Sequence, residues 1–398
     1  MTVTVFGDLF QFIRNGVSVK QDKSGDGLPI SRIETISDGS VNPHRVGFAG
    51  LSADTAEGWI LESGDILFSH INSVEHVGKC AVYRGLPDSL VHGMNLLNLR
   101  CDQSKCTPEF AKYLIRSPSF RNRLANFINK AVNQASVSIG NLRTIPVSVP
   151  SLPEQRHIAA ILDQADALRA KRREALAQLD SLTQSIFIEM FGDPATNSLG
   201  WKLFGIGDLA DVQGGLQVTT ARRDLPLEVP YLRVANVYRR YLQLDEIKTI
   251  RATPAEVSRT TLKEGDLLVV EGHGNPKEIG RSALWDGSIP QCVHQNHLIR
   301  VRFDAGKVVP VYACEYLNSS GGRRHLVKAG KSTSGLNTIS LSDVRVAPVA
   351  LPPLALQQTF ATRNQAVESL KTTHSAALAE LDALFASLQH RAFAGQLS

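Results

Sequence analysis

Gly330-Lys331-Ser332-Thr333 has the tail of a phosphate-binding loop, whose backbone N–H groups cradle phosphates while the lysine reaches them. The pattern G-x-x-x-x-G-K-[ST] requires glycine at 325, where the chain has His325. A basic, glycine-flexible loop is the better reading. Cys292, His294 and His297 are residue types that ligate zinc, but no fourth ligand accompanies them, and a neutral histidine beside a strand is ordinarily structural. Two further fragments belong to methyltransferase chemistry. Phe48-Ala49-Gly50 lacks the strand–loop–helix setting of a cofactor loop, and Asn275-Pro276-Lys277 lacks the second proline and the aromatic of a catalytic Asn-Pro-Pro motif. No catalytic residue, metal site or cofactor is therefore assigned to this chain.

What remains is polar chemistry suited to recognition. The formal net charge of +5 is small, but its distribution is informative. Residues 1–150 carry 15 Lys/Arg against 13 Asp/Glu, residues 193–352 carry 20 against 16, and the intervening and final segments are close to neutral. The positive excess thus lies on two globular-looking blocks, where it can displace counterions from phosphate. DNA contact needs Lys and Arg for phosphates, and Arg, Asn, Gln, Ser or Thr for base edges. In the first block the candidates are Lys20, Lys23, Arg32, Ser69, His70, Asn72, Lys79, Lys130, Asn133 and Gln134. In the second they are Arg222, Arg223, Arg233, Asn236, Arg239, Arg240, His273, Asn275, Lys277, Gln295, Asn296, Lys331, Ser332 and Asn337. Arg32 and Arg233 recur at matching places, which gives them the stronger claim to a structural role.

An internal duplication near 201 residues organises these candidates. Gly7-Asp8-Leu9 returns as Gly207-Asp208-Leu209, Gly64-Asp65-Ile66-Leu67 as Gly265-Asp266-Leu267-Leu268, Gly78-Lys79-Cys80 as Gly280-Arg281-Ser282, and Pro146 through Gln155 as Pro348 through Gln357. Order and spacing persist throughout, and the period is far longer than a solenoid unit of about 20–50 residues. Each copy begins with about 150 residues of short strands broken by Gly, Pro, Asn and Asp. It continues as a stretch of good helix formers with no Pro or Gly between Pro153 and Gly192, or between Pro353 and Gly395.

Both helical stretches carry a heptad seam. The first has Ile158, Ala165, Arg172, Leu179 and Ile186 at one position and Ile161, Leu168, Ala175 and Leu182 three residues on. The second has Phe360, Val367, His374, Leu381 and Leu388, then Arg363, Leu370, Ala377 and Leu384. Such seams bury themselves against a partner helix. Antiparallel pairing would set the polar interruptions Arg172 and His374 face to face, in an interface formed by Ile161, Leu168, Leu179, Leu182, Leu370, Leu381 and Leu384. The alternative is that each helix packs only on its own domain. The expected fold is α+β: two β-rich globular domains at 1–150 and 193–352, separated by long antiparallel helices at 151–192 and 353–398, with pseudo-two-fold symmetry. Such a molecule matches two DNA half-sites in inverted orientation. The copies differ most in their polar stretches, so the target should be asymmetric and split.

On these residues the chain resembles the specificity subunits of type I restriction-modification systems. The telling features are Pro150-Ser151-Leu152-Pro153-Glu154-Gln155 and Pro352-Pro353-Leu354-Ala355-Leu356-Gln357 at the two helix openings, the paired Gly-Asp turns, and the ending Ala392-Phe393-Ala394-Gly395-Gln396-Leu397. One departure is Leu356, where the first copy has Glu154. The resemblance makes the two globular domains target-recognition domains and the two long helices spacer helices. It implies a non-catalytic, double-stranded-DNA-reading subunit that positions two methylation subunits, holding S-adenosylmethionine and modifying adenine, and two restriction subunits, with ATP and Mg2+ also on the partners. Five sparse cysteines without C-x-x-C, no apolar run of about 18 residues, and an N-terminus without a signal-peptide pattern suggest a cytoplasmic, membrane-free chain. Rival classes are a methyltransferase with its own recognition domain, excluded by the missing motifs, and a non-DNA coiled-coil adaptor, from which only DNA binding distinguishes it.

Overall fold

A computed structural model describes residues 1–22, 25–131, 134–333 and 336–397. The chain is α+β and forms two compact units, Met1–Arg173 with Ser375–Ser398, and Glu174–His374. The division falls inside two 40-residue helices, Leu152–Phe191 and Leu354–Phe393, so each unit contains a part of both.

In the first unit a four-stranded sheet runs in the order Phe10–Asn15, Leu96–Cys101, Ile66–Ser69, Cys80–Val82. The strand Ile66–Ser69 is buried at every position, which explains its unbroken apolar sequence. It is opened by the Gly64-Asp65 turn. Gly64 has φ 98°, which a side chain would strain. The Asp65 carboxylate accepts from the Glu62 N–H, from Asn98 and from the Arg100 guanidinium on the neighbouring strand. The terminal strands Thr2–Val5 and Pro146–Val149 pair antiparallel, so the long helix leaves beside the chain's beginning.

The second unit repeats this scheme. Its four-stranded sheet runs Ala210–Gly214, Leu298–Phe303, Leu267–Val270, Ser282–Leu284. Gly265 has φ 86°, and Asp266 accepts from the Lys263 N–H and from both ends of the Arg302 guanidinium. The copies part company in their accessory lobes. The first has a minimal two-stranded ladder, Pro29–Ile30 with Gly47–Phe48. The second has Leu227–Leu232 flanked by Lys248–Ala252 and Val293–His294, followed by the helix Pro254–Thr260.

The long helices start on duplicated hinges. Gln155 is fully buried; its Oε1 accepts from the Thr107 N–H at 3.0 Å, and its Nε2 donates to the carbonyls of Lys105 and Pro150 at 2.8 and 3.0 Å. Gln357 does the same with the Val309 N–H and the carbonyls of Lys307 and Pro352. The capping contact is not duplicated: Glu154 accepts from the Ser151 N–H and hydroxyl, whereas Leu356 offers no acceptor.

Within each unit the two helical segments run antiparallel. In the first, Arg169 and Arg173 reach Asp382, while Ile158 and Leu162 share a core with Ala392 and Phe393. In the second, Asp180 pairs with Lys371 and Glu189 with Arg363, and Phe187 and Phe191 each meet Phe360 edge-on at 5.4 Å. The inward frame differs from the expected one. Leu168, Leu182, Leu370 and Leu384 are 46, 43, 51 and 50% exposed and do not form the interface. The second inward row lies four residues after Ile158, Ala165, Arg172 and Leu179, not three: Leu162, Arg169, Leu176 and Thr183 in one helix, and Asn364, Lys371, Leu378 and Phe385 in the other. Apolar content favoured the wrong row, because polar side chains fill half of the right one. Arg169 earns its inward place by lying over the Phe385 ring at 4.3 Å and donating to Asp382 and Asp166. Ile161, Arg172, Leu179, His374 and Leu381 are half-buried.

Candidate nucleic-acid interface

Each unit extends the end of its central strand into a small three-stranded sheet. In the first, Ile71–Asn72 pairs with Gln134–Ser136, which pairs with Asn129–Ala131. In the second, Gly272–His273 pairs with Leu336–Thr338, which pairs with Lys331–Thr333. The result is a two-stranded ribbon anchored to the core by Ala135 in one unit and by Ile339 in the other, both buried.

The ribbons gather several of the sequence candidates. Lys130 and Gln134 are exposed on the first, joined at its base by half-buried Asn72. Lys331 and Ser332 are exposed on the second, and the ladder sets Asn337 opposite both His273 and Ser332. The His273–Lys277 loop folds back on itself, with the His273 Nδ1 accepting from the Asn275 N–H and the Asn275 side chain accepting from the Lys277 N–H. Asn337 donates to the Gly274 carbonyl, which ties this loop to the ribbon. Asn275 and Lys277 remain exposed. Exposed Asn129 on the first ribbon was missed by sequence reasoning; its place one residue before Lys130 was the available signal. Lys23 and Asn133 lie outside the described residues.

Other candidates serve the scaffold. Ser69 and His70 are buried at the foot of the first ribbon, and burial lowers the His70 pKa to about 4. Asn236 is buried and donates to the carbonyls of Gln243 and Glu246, closing a loop. Ser69 accepts from the Asn72 amide, and burial leaves all three with little surface to offer a base. Arg222 is forked onto Glu256, whose carboxyl its guanidinium and the Thr253 N–H hold down to about 2. Arg233 pairs with Glu246, Arg239 with Glu278, Arg240 with Glu315, and Arg32 with Glu34. Lys20 and Arg223 are exposed, and Gln295 and Asn296 half-buried, in the accessory lobes. Lys79 turns inward, its ammonium on the Ser37 carbonyl.

The residues that suggested metal are otherwise engaged. His294 is buried against the carbonyls of Thr260 and Gln213, its pKa lowered by burial to about 4, and His297 pairs with Glu271. Among the described residues no group of three or more His, Cys, Asp or Glu is arranged to hold a metal, and no helix is long and apolar enough to cross a membrane.

Residues 1–178 match the family described as the Type I restriction modification DNA specificity domain. The chain is 36% identical over 205 residues to a type I restriction enzyme MjaX specificity subunit of Methanocaldococcus jannaschii, covering 51% of this chain and 48% of that one. It is 31% identical over 192 residues to the EcoKI specificity subunit of Escherichia coli, covering 47 and 41%. Thus it spans about half the length of these two relatives. The StySPI specificity subunit of Salmonella potsdam is 24% identical over 96% of this chain and 86% of its own. The fold is shared with the type I restriction-modification S subunit from M. genitalium, at TM-score 0.57 and 14% identity over 98 and 96% of the two chains. A second structure, of a type I restriction-modification system, gives 0.57 and 18% over 100 and 98%. The scaffold is present twice in this chain, and its first copy carries the match to the Type I restriction modification DNA specificity domain.

Proposed function

We propose that this chain is the non-catalytic DNA-recognition subunit of a type I restriction-modification complex, and that each unit reads one part of an asymmetric, two-part target. The observation that carries this reading is the ribbon built at the same place on both scaffolds, with different polar side chains at its exposed positions. A two-stranded ribbon fits the major groove, which is about 12 Å wide. On such a ribbon Lys130 and Lys331 suit phosphates, which set position, while Gln134, Ser332 and Asn337 suit base edges, with Gln and Asn able to make paired bonds to adenine. Arg223, Asn275, Lys277 and Lys20 extend each footprint.

The partners of this reading are two methylation subunits, which carry S-adenosylmethionine and modify adenine, and two restriction subunits, which use ATP and Mg2+ in the cytoplasm. The leucines left outside the helix seam, Leu168 and Leu384 in one unit and Leu182 and Leu370 in the other, offer the methylation subunits apolar helix surface. The test is to exchange residues 1–150 for the first domain of another specificity subunit and map methylated adenines across the genome. One part of the target should change while the other stays; a change in both parts, or in neither, would overturn the reading.

A further inference from the structure

The loop residues 37–40, the segment Gly78-Lys79-Cys80 and the first long helix enclose a cavity of about 550 Å³ within the first unit. It is within the range of ligand sites, roughly 300–1,000 Å³. Lys79, Arg116, Arg121 and Arg173 line it, with Asp38 and Asp166 as the lining carboxylates.

The cations are held there mainly by neutral groups. Lys79 donates to the Ser37 carbonyl at 3.1 Å, Arg121 to the Val77 carbonyl at 2.5 Å, and Arg116 to the carbonyls of Gly39 and Cys80. A carbonyl oxygen fixes a cation's position without cancelling its charge. The carboxylates are already engaged: Asp38 with Arg45 at 2.9 Å, and Asp166 with Arg169 at 2.8 Å, leaving Arg116 at 3.8 Å. Arg173 shares Asp382 with Arg169. Six cations therefore meet three carboxylates around one concavity. Two glycines make the arrangement possible. Gly39 and Gly78 have φ of 79° and 83°, and a Cβ there would come within 2.7 Å of the Arg116 Nη2 and 2.1 Å of the Arg121 Nη1. Donors remain for a guest, since an ammonium has three and a guanidinium five.

The second repeat supplies the comparison. Arg281 stands where Lys79 does, and Arg323 where Arg121 does; Arg281 donates to the Val234 carbonyl and also meets a carboxylate, while Arg323 has two buried guanidinium nitrogens without a partner. Glu278 pairs with Arg281 and Arg239 and faces Arg323, while Glu315 pairs with Arg240. At this place the second copy sets two glutamates among four arginines, whereas in the first copy Lys79, Arg116 and Arg121 rest on carbonyls.

We propose that the Lys79–Arg116–Arg121–Arg173 cavity of the first unit binds a phosphate-class oxyanion, either a free phosphate group or a backbone phosphate of DNA. Planar guanidiniums and an ammonium converging on one concavity suit several phosphate oxygens at once.

The test titrates inorganic phosphate into the full-length chain by calorimetry at constant ionic strength. The same proteins are then titrated with a short non-specific duplex at several salt concentrations. For a free phosphate, the wild type and Lys79→Arg should bind, Lys79→Gln should bind about tenfold more weakly, and Arg281→Gln should be unchanged. If phosphate gives no heat, but Lys79→Gln and Arg173→Gln weaken the duplex and each lower its salt slope by about one, the anion is a DNA phosphate. Only this second arm rests on the DNA-reading role. Phosphate binding indifferent to Lys79, or neither titration responding, would overturn the proposal.

Discussion

Replacing Gln155 with methionine keeps the side chain's volume and removes its three hydrogen bonds. The Thr107 N–H then becomes a buried donor with no acceptor, at a cost of about 1–3 kcal/mol, and the carbonyls of Lys105 and Pro150 each lose a bond worth about 1 kcal/mol net. The expected loss is about 3–5 kcal/mol, confined to the first unit. Gln357→Met should do the same to the second through Val309, Lys307 and Pro352. Ser151→Ala removes only an exposed capping contact and should cost about 1 kcal/mol or less. Urea unfolding of the full chain gives the magnitudes, and hydrogen exchange of peptides covering 103–116 and 305–318 locates them. A Gln155→Met loss below about 1 kcal/mol, or equal loosening of both peptides, would refute the view that one buried amide locks each helix to its own domain.

Leu162→Ala should cost about 2–5 kcal/mol and Leu168→Ala about 0.5 kcal/mol or less, because the first is fully buried and the second is not; thermal unfolding in the reverse order would reinstate the frame expected from apolar content. Lys130→Gln and Lys331→Gln should each weaken duplex binding across all sequences and reduce the salt slope by about one; unchanged slopes would remove the ribbons from the interface. Burial holds the pKa values of His70, His92 and His294 down at about 4. The unfolded chain takes up these protons below about pH 6.5 and the folded chain does not. Stability contributed by the neutral rings is complete above that value and should decline as pH falls from about 6.5 to 4; a flat urea midpoint over that window would contradict the burial.

The duplication, the helix positions and the antiparallel pairing were legible because they rest on long-range self-similarity and on helix propensity summed over some 40 residues. The seam was misread by one residue. Apolar content is a sound guide only when inward side chains are apolar, and here Arg169 and Lys371 turn inward by pairing with Asp382 and Asp180. The DNA candidates were read from residue type and from their place in or beside the polar stretches that flank the matched blocks, neither of which distinguishes an amide facing solvent from one satisfying backbone. Asn236 and Gln134 look alike in sequence, but one is buried under two carbonyl contacts and the other stands on a ribbon.

The two copies also act as each other's control, and this separates scaffold from recognition more sharply than residue type does. Positions that keep both identity and partner are structural: Gln155 with Gln357, and Asp65 on Arg100 with Asp266 on Arg302. Arg32 and Arg233 keep their place but not their partner, pairing with Glu34 in one copy and Glu246 in the other. Positions that keep their place but change their chemistry are where function can differ. The ribbons change from Asn129, Lys130 and Gln134 to Lys331, Ser332 and Asn337 while the strands beneath them keep their pairing. Lys79, held by the Ser37 carbonyl, is replaced by Arg281, which adds an ion pair with Glu278, while the glycine turn persists as Gly78 and Gly280. Under the proposed DNA-reading role, one part of the target can alter alone only if such changes stay local. The buried Gln, Asp and Arg contacts are the frame that both copies keep while these positions change.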